Sequence, residues 1–373
     1  MNFLFTCGGT AGHINPAIAV ADSIREKMPD AKILFIGSGR ELENRLIPKA
    51  GYELKNITAS GFQRSFSPPD IMQNIIAVKN VFIGMRQAGK ILREFKPDVA
   101  IGTGGYVCYP VLKKAAALKI PTAIHESNAI PGLTTKLVSS SVDKIMVSFD
   151  GMQDKYKDPK KVVVTGMPVR GAFELSKKQA RLRLGLDDRP LVVSFWGSLG
   201  AAKMNEIMTE FIKCNSRVNI FNHIHATGGD RDNVDFLIYK LIKLGVNIRC
   251  VKGLDIRPYI DDMGTVMAAA DIVLCRSGAS TIGELTFLGK PAILVPSPNV
   301  TNNHQEKNAR MMEAASAAKV ILEPDCTGEN IFSEVTSILN DKKLLEDMTT
   351  QSKALGFVNA ADKIADLLVE LCD

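Results

Sequence analysis

Short, continuous apolar runs alternate with helix-period segments along all 373 residues, and this alternation most limits how the chain can fold. Runs such as FLFT (3–6), KILFIG (32–37), DVAIGT (98–103) and KIMVSF (144–149) are apolar throughout rather than on every second residue. Such strands are covered on both faces, which parallel sheets flanked by helices provide. Further strands are expected at ELKNIT (53–58), PTAIHE (121–126) and KVVVTG (161–166). The pattern then restarts with LVVSFWG (191–197), HIHATG (223–228), IRCVKG (248–253), IVLCRS (272–277), AILVPS (292–297) and KVILE (319–323). The chain is too long for one ordinary core. The fold class is therefore α/β, with two doubly wound parallel-sheet domains and a ligand cleft expected where the carboxyl ends of their strands face each other. The seam is placed where Gly166, Pro168 and Gly171 interrupt both periodicities, giving domains 1–165 and 166–350 and a C-terminal helical segment, 351–373, that can pack back on the first domain.

Four glycine-bearing turns directly follow expected strands: Gly8-Gly9-Thr10-Ala11-Gly12, Gly102-Thr103-Gly104-Gly105, Gly197-Ser198-Leu199-Gly200 and Ser277-Gly278. A strand-to-helix turn presents unpaired N–H groups and the positive end of the helix dipole, so four of them point to a nucleotide or another phosphorylated ligand. The familiar nucleotide motifs fail on inspection. The first turn lacks G-x-G-x-x-G, and the second strand ends in Ile36-Gly37-Ser38 without the ribose carboxylate of a dinucleotide site. Gly84 to Lys90 imitates a phosphate loop, but Ile91 stands where Ser or Thr is needed and the segment falls mid-helix. Asp230-Arg231-Asp232 imitates a metal-binding D-x-D within an expected loop. The seven dispersed cysteines include no C-x-x-C pair, so neither a disulfide framework nor a zinc ribbon is expected.

The stretch CRSGASTIGEL supplies a better ribose ligand, because a helix starting near Ser280 puts Glu284 one turn inside it. Downstream, His304, Gln305 and Asn308 gather neutral donors and acceptors of the kind a sugar needs. In the first turn His13 is the residue whose ordinary pKa suits a base near neutral pH. Glu126, in HESN, is its rival.

These residues sit in motifs with a family resemblance. GGTAGHINPAIAVA, GTGGYVCYPVLKKAAALKIPTAIHESNAIPG, VTGMPVR, GSLGA, RSGASTIGEL and HQEKNA occur in the order found in the MurG family of bacterial peptidoglycan glycosyltransferases, which this chain resembles over nearly its whole length. The resemblance implies a GT-B fold and a metal-free, cofactor-free inverting transfer of N-acetylglucosamine from UDP-GlcNAc to lipid I. It implies that Ile260 meets uracil through its backbone, Glu284 the ribose, Ser198 and Arg170 the diphosphate, and Ala279, His304, Gln305 and Asn308 the sugar. Thr10, Gly12, His13, Tyr106, Glu126 and Asn128 would frame the acceptor, with His13 or Glu126 as the base. The chain departs from the family pattern at Ala11, Cys108, Ser127, Met167 and Leu199. Met167 and Leu199 remove amide groups expected at the donor site, and Ala11 would cost about 1 kcal/mol if its φ were positive. A different GT-B transferase, a UDP-GlcNAc 2-epimerase, a dehydrogenase or a non-catalytic scaffold are the rival readings.

Charge is uneven: residues 1–165 carry 22 Lys and Arg against 14 Asp and Glu, the remainder 24 against 26. An anionic partner is expected at the first domain. Within it, Ile71, Ile75, Val78, Phe82 and Met85 form a helical stripe near Lys79, Arg86 and Lys90. Core packing is the commonest reason for such a stripe. With a lipid-linked acceptor it instead suggests peripheral docking on the anionic inner leaflet, the protein lying on the cytoplasmic side of the membrane; nucleic acid is not an expected partner. The N-terminus has no signal-peptide pattern, and no apolar stretch is long enough to span a bilayer.

Overall fold

In a computed structural model, residues 1–61, 67–170, 175–197 and 200–372 are described. Two compact units emerge, one of residues 1–170 and 357–373, the other of 171–356. The first contains β1 (Asn2–Cys7), α1 (Ala11–Lys27), β2 (Lys32–Gly37), α2 (Glu41–Lys49), β3 (Glu53–Asn56), α3 (Pro68–Phe95), β4 (Val99–Gly104), α4 (Cys108–Ala117), β5 (Thr122–Glu126), α5 (Leu133–Val138), β6 (Lys144–Val147) and β7 (Val162–Val164). The second runs through α6 (Lys177–Arg183), β8 (Leu191–Phe195), α7 (Ala202–Val218), β9 (Asn222–Ala226), α8 (Arg231–Lys243), β10 (Leu254–Arg257), α9 (Met263–Ala269), β11 (Ile272–Cys275), α10 (Ala279–Leu288), β12 (Ala292–Leu294), α11 (His304–Ala314), β13 (Ala318–Val320), α12 (Gly328–Asn340) and α13 (Lys342–Ala354). The second unit thus continues six residues past the expected boundary at 350. The last helix, α14 (Ala360–Glu370), belongs to the first unit, where Ile364, Ala365 and Leu368 join the core that α1 forms with β1.

Every strand pair is parallel. The first sheet has the order β3-β2-β1-β4-β5-β6-β7 and the second β10-β9-β8-β11-β12-β13, so each reverses direction once, at β1/β4 and at β8/β11. Ligands of open α/β sheets bind at such reversals. All four glycine turns singled out in the sequence follow one of these four strands.

Two expectations are overturned, the strand at IRCVKG and the loop at Asp230-Arg231-Asp232. IRCVKG is not a strand: Ile248–Cys250 form a 3₁₀ turn, and β10 starts at Leu254. Gly253 sits at φ +81, and a Cβ there would lie 2.1 Å from Asn222 Oδ1, so the chain turns tightly before it can enter the ladder. Of the two readings of the stripe on α3, core packing does not hold. Ile75 is 61% and Phe82 68% exposed, with Ile71, Met72, Ile76 and Val78 also open to solvent. The helix buries its small face instead: a Cβ on Gly84 would lie 2.5 Å from Thr58 O, and Ala77 and Ala88 are fully covered. Small residues permit that close approach and leave the large ones outside. Asp230 accepts the Asp232 N–H as the N-cap of α8, so the D-x-D look-alike is a helix start rather than a loop.

Inside the second sheet lies a buried polar cluster that the apolar pattern concealed. Ser194 Oγ is 2.7 Å from both His223 Nε2 and His225 Nδ1, and all three side chains are sealed from solvent. Burial keeps both rings neutral, lowering His225 to about 4 and His223 well below its usual value. An unfolded histidine titrates near pH 6.5, so acid protonates the unfolded chain first. The stability present above pH 6.5 is therefore lost as pH falls toward 4, by about 3 kcal/mol for His225 alone. Denaturant midpoints should drop between pH 6.5 and 4.5, and His225→Asn should flatten that dependence; a wild-type midpoint indifferent to pH in this window would contradict the assignment.

Candidate functional site

At the first reversal the β1–α1 and β4–α4 turns interlock. Gly105, at φ +93, packs directly on Gly8, where a Cβ would lie 2.4 Å from the Gly8 oxygen. Gly104 lies flat against the His13 ring, its notional Cβ 2.4 Å from Cδ2. His13 is the third residue of α1. Its carbonyl accepts from Thr103 Oγ1 at 2.7 Å, and its Nδ1 is 2.9 Å from the Gly8 carbonyl. A carbonyl only accepts, so Nδ1 carries the proton and the neutral ring has its lone pair on Nε2.

Not every amide of this turn faces a ligand. Gly8 N–H donates to Gly104 O, and Gly9 N–H donates to Glu43 Oε1 at 2.9 Å. The Thr10, Ala11 and Gly12 amides open α1, the side on which anions are favoured. Ala11 has no positive φ, so its methyl carries no backbone penalty. Cys108, where the family pattern has Ser, donates its thiol to Gly104 O at 3.0 Å and Thr6 O at 3.1 Å.

Glu126, the rival base, is buried and committed. It accepts from Asn128 N–H at 3.0 Å, Asn128 Nδ2 at 3.2 Å, Gly132 N–H at 2.8 Å and Thr135 Oγ1 at 2.6 Å. Four donors on one carboxylate fix the 128–135 segment and the start of α5. Tyr106 is largely exposed at the head of α4. Arg170 is engaged by Asp22, Nε to Oδ2 at 3.4 Å.

The second reversal is built differently: it clasps its backbone and leaves side chains open. Ser277 Oγ donates to Gln305 O, Asn308 Nδ2 to Ser277 O, and Ser297 N–H to Gln305 Oε1, at 2.8, 3.2 and 2.9 Å. These bonds tie the start of α10 to that of α11, where His304 and Gln305 are the first two residues. Ala279 opens α10, with its N-terminal amides turned outward. The Glu284 carboxyl, one turn in, is pushed up to about 7 by burial alone, and among the described residues nothing donates to it. Ser280 Oγ, four residues before it, is likewise buried without a partner among the described residues. Ile260 is buried in the β10–α9 connection. Ser198 and Leu199 lie outside the described residues. Met167, at the end of the first unit, is buried and accepts weakly from Ser148 Oγ at 3.5 Å.

Sequence reasoning missed two groups. Ser280 was visible only as a helix start. Glu43 shows no signal near the first turn in sequence, because α2 lies more than thirty residues on; yet it accepts from Gly9 of that turn.

Two parallel α/β units of this topology, each with glycine turns at its reversal, are those of the GT-B fold class. The chain belongs to glycosyltransferase family 28: the family's N-terminal domain matches residues 3–147 and its C-terminal domain residues 191–364. It is 44% identical over 374 residues, all of this chain and 98% of the relative, to the UDP-N-acetylglucosamine--N-acetylmuramyl-(pentapeptide) pyrophosphoryl-undecaprenol N-acetylglucosamine transferase of Acetivibrio thermocellus. The crystal structure of Acinetobacter baumannii MurG superposes with a TM-score of 0.75 at 24% identity, covering 99% of both chains. A Neisseria meningitidis UDP-GlcNAc 2-epimerase superposes at 0.70 with 16% identity over 99% of this chain and all of that one, a likeness of fold alone.

Glu126→Ala should lower unfolding free energy by about 3 kcal/mol, because buried donors lose their acceptor. Chemical denaturation measures it; an unchanged midpoint would show the four bonds to be dispensable.

Proposed function

We propose that this chain transfers N-acetylglucosamine from UDP-GlcNAc to the C4 hydroxyl of the MurNAc unit of lipid I, with inversion, giving lipid II. The observation that carries the reading is the 44% identity, end to end, with an enzyme named for that transfer. His13 Nε2 takes the proton of the attacking hydroxyl, and the Thr10 to Gly12 amides receive the acceptor's pyrophosphate. Glu126 organises Asn128 and its loop rather than acting as the base, since its lone pairs are already occupied. Tyr106 borders the acceptor. Glu284 accepts the ribose hydroxyls, Ile260 meets uracil through its backbone, and Ala279, His304, Gln305 and Asn308 bind the sugar, with Ser198 and Arg170 as diphosphate ligands. The open carboxylate of Glu284 supports this assignment, because a half-buried acceptor with no donor among the described residues is free to take one from a ligand.

The exposed apolar face of α3, with Lys79, Arg86 and Lys90 also exposed, supports docking on an anionic membrane surface. Among the described residues no helix is long and apolar enough to cross a membrane.

His13→Ala should abolish transfer from labelled UDP-GlcNAc to lipid I, by on the order of a hundredfold or more, while donor binding by calorimetry persists. Near-normal turnover would move the base elsewhere. The double variant Ile75→Glu and Phe82→Glu should lose most co-sedimentation with anionic vesicles while still binding UDP-GlcNAc; undiminished sedimentation, or equal binding of the wild type to neutral vesicles, would contradict electrostatic docking through this face.

A further inference from the structure

Glu43 is sealed from solvent, yet no cation pairs with its carboxylate among the described residues. Its charge is met by donors alone. Oε1 accepts from Gly9 N–H at 2.9 Å and Ser38 Oγ at 2.8 Å; Oε2 accepts from Ser38 N–H at 2.6 Å, Ser38 Oγ at 3.1 Å and Arg40 N–H at 3.4 Å. The fit around it is close. A Cβ on Gly8 would lie 2.5 Å from Oε1, and one on Gly37 2.8 Å from Oε2.

Gly9 N–H and Gly8 C=O are the two ends of a single peptide group. Glu43 holds the first, and His13 Nδ1–H donates to the second at 2.9 Å. The order is carboxylate, peptide, imidazole. Hydrogen bonds in such a chain polarise one another: an anion on the N–H increases the negative charge on the carbonyl oxygen, which then holds the Nδ1 proton more firmly and favours positive charge on the ring. We propose that Glu43 is a positioning residue for the transfer reaction, coupled through the Gly8–Gly9 peptide to His13, fixing its Nδ1–H tautomer and raising the basicity of Nε2. This rests on the reading of His13 as the base. No proton travels along the relay: Glu43 stays anionic, Nδ1 keeps its hydrogen, and Nε2 alone gains a proton, from the acceptor hydroxyl.

Among the described residues, the other titratable groups around the turn are these. Cys7 of β1 and Cys108 of α4 are kept neutral by burial, Cys108 pushed up to about 12. The first turn of α1 has no acidic residue, and Thr103 and Gly104 of β4 bring no charge. Arg40 reaches to 4.0 Å from the place a Cβ on Gly9 would take, and acts in the opposite sense to Glu43.

The test is ¹⁵N NMR titration of the His13 ring in the full-length protein, with the pH profile of kcat/KM for lipid I measured alongside. The neutral wild-type ring should be the Nδ1–H tautomer. Glu43→Gln keeps the shape and removes the charge. It should lower the His13 pKa by about half a unit or more, shift the acid limb of kcat/KM down by the same amount, and reduce kcat about tenfold with KM for UDP-GlcNAc unchanged. Ser38→Ala deletes a competing donor, concentrates the carboxylate on Gly9 N–H, and should move the His13 pKa upward. A structural role alone would lower the melting temperature in both variants and leave the ring's pKa where it was. That result, or a wild-type ring protonated on Nε2, overturns the proposal. If Glu43→Gln does not fold, Ser38→Ala decides by the direction of its shift. An inactive His13→Ala together with an unmoved pKa would reject the relay and keep the base; an active His13→Ala would reject the base while the titration still reads the relay.

Discussion

The peptide joining Gly8 and Gly9 holds the first glycine turn together. Gly105 closes on its carbonyl, Gly104 lies against the imidazole, and Glu43 and His13 hold its two ends. A Cβ at Gly8, Gly104 or Gly105 would open this stack, because each position already stands in contact with backbone, a ring or a carboxylate. Glycine is therefore required here as much for close approach as for the positive φ of Gly9, Gly104 and Gly105.

The two units satisfy their polar groups in opposite ways. Around β1 and β4 the carboxylates are saturated: Glu43 and Glu126 each collect backbone and hydroxyl donors and spend their charge on fixing turns. Around β8 and β11 it is the backbone that is clasped, by Ser277, Gln305 and Asn308, while Glu284 and Ser280 stay open. A base must be oriented before its substrate arrives. A ligand site must keep unsatisfied groups for the ligand to complete. The contrast supports the proposed catalytic role of the first unit and the proposed donor-binding role of the second.

Much of the fold was legible because buried parallel strands are apolar on both faces and the four at the reversals end at glycine turns. FLFT and LVVSF needed no more than that. IRCVKG misled because apolarity cannot reveal that Gly253 must turn before the ladder begins. The α3 stripe left two readings open for a related reason: a 3.6-residue period shows that a helix has two faces, but Ala77, Gly84 and Ala88 decided which one is buried. Among the candidate residues, His13 and Glu284 could be singled out from their turns. The commitment of Glu126 to four donors could not, since only folding brings Gly132 and Thr135 back to it. Glu43 was illegible because its partner in the β1–α1 turn, Gly9, lies thirty-four residues away, a spacing with no period, while Ser38 and Arg40 beside it read only as the lead into α2.

The central claim is a single displacement at the anomeric carbon, assisted by one neutral imidazole. The most direct measurement is the anomeric configuration of the new linkage when UDP-GlcNAc labelled with ¹³C at C1 is turned over with lipid I and followed by NMR. A β-linked product from the α-linked donor is predicted. An α-linked product would require a second displacement with an enzyme nucleophile, and would contradict the account.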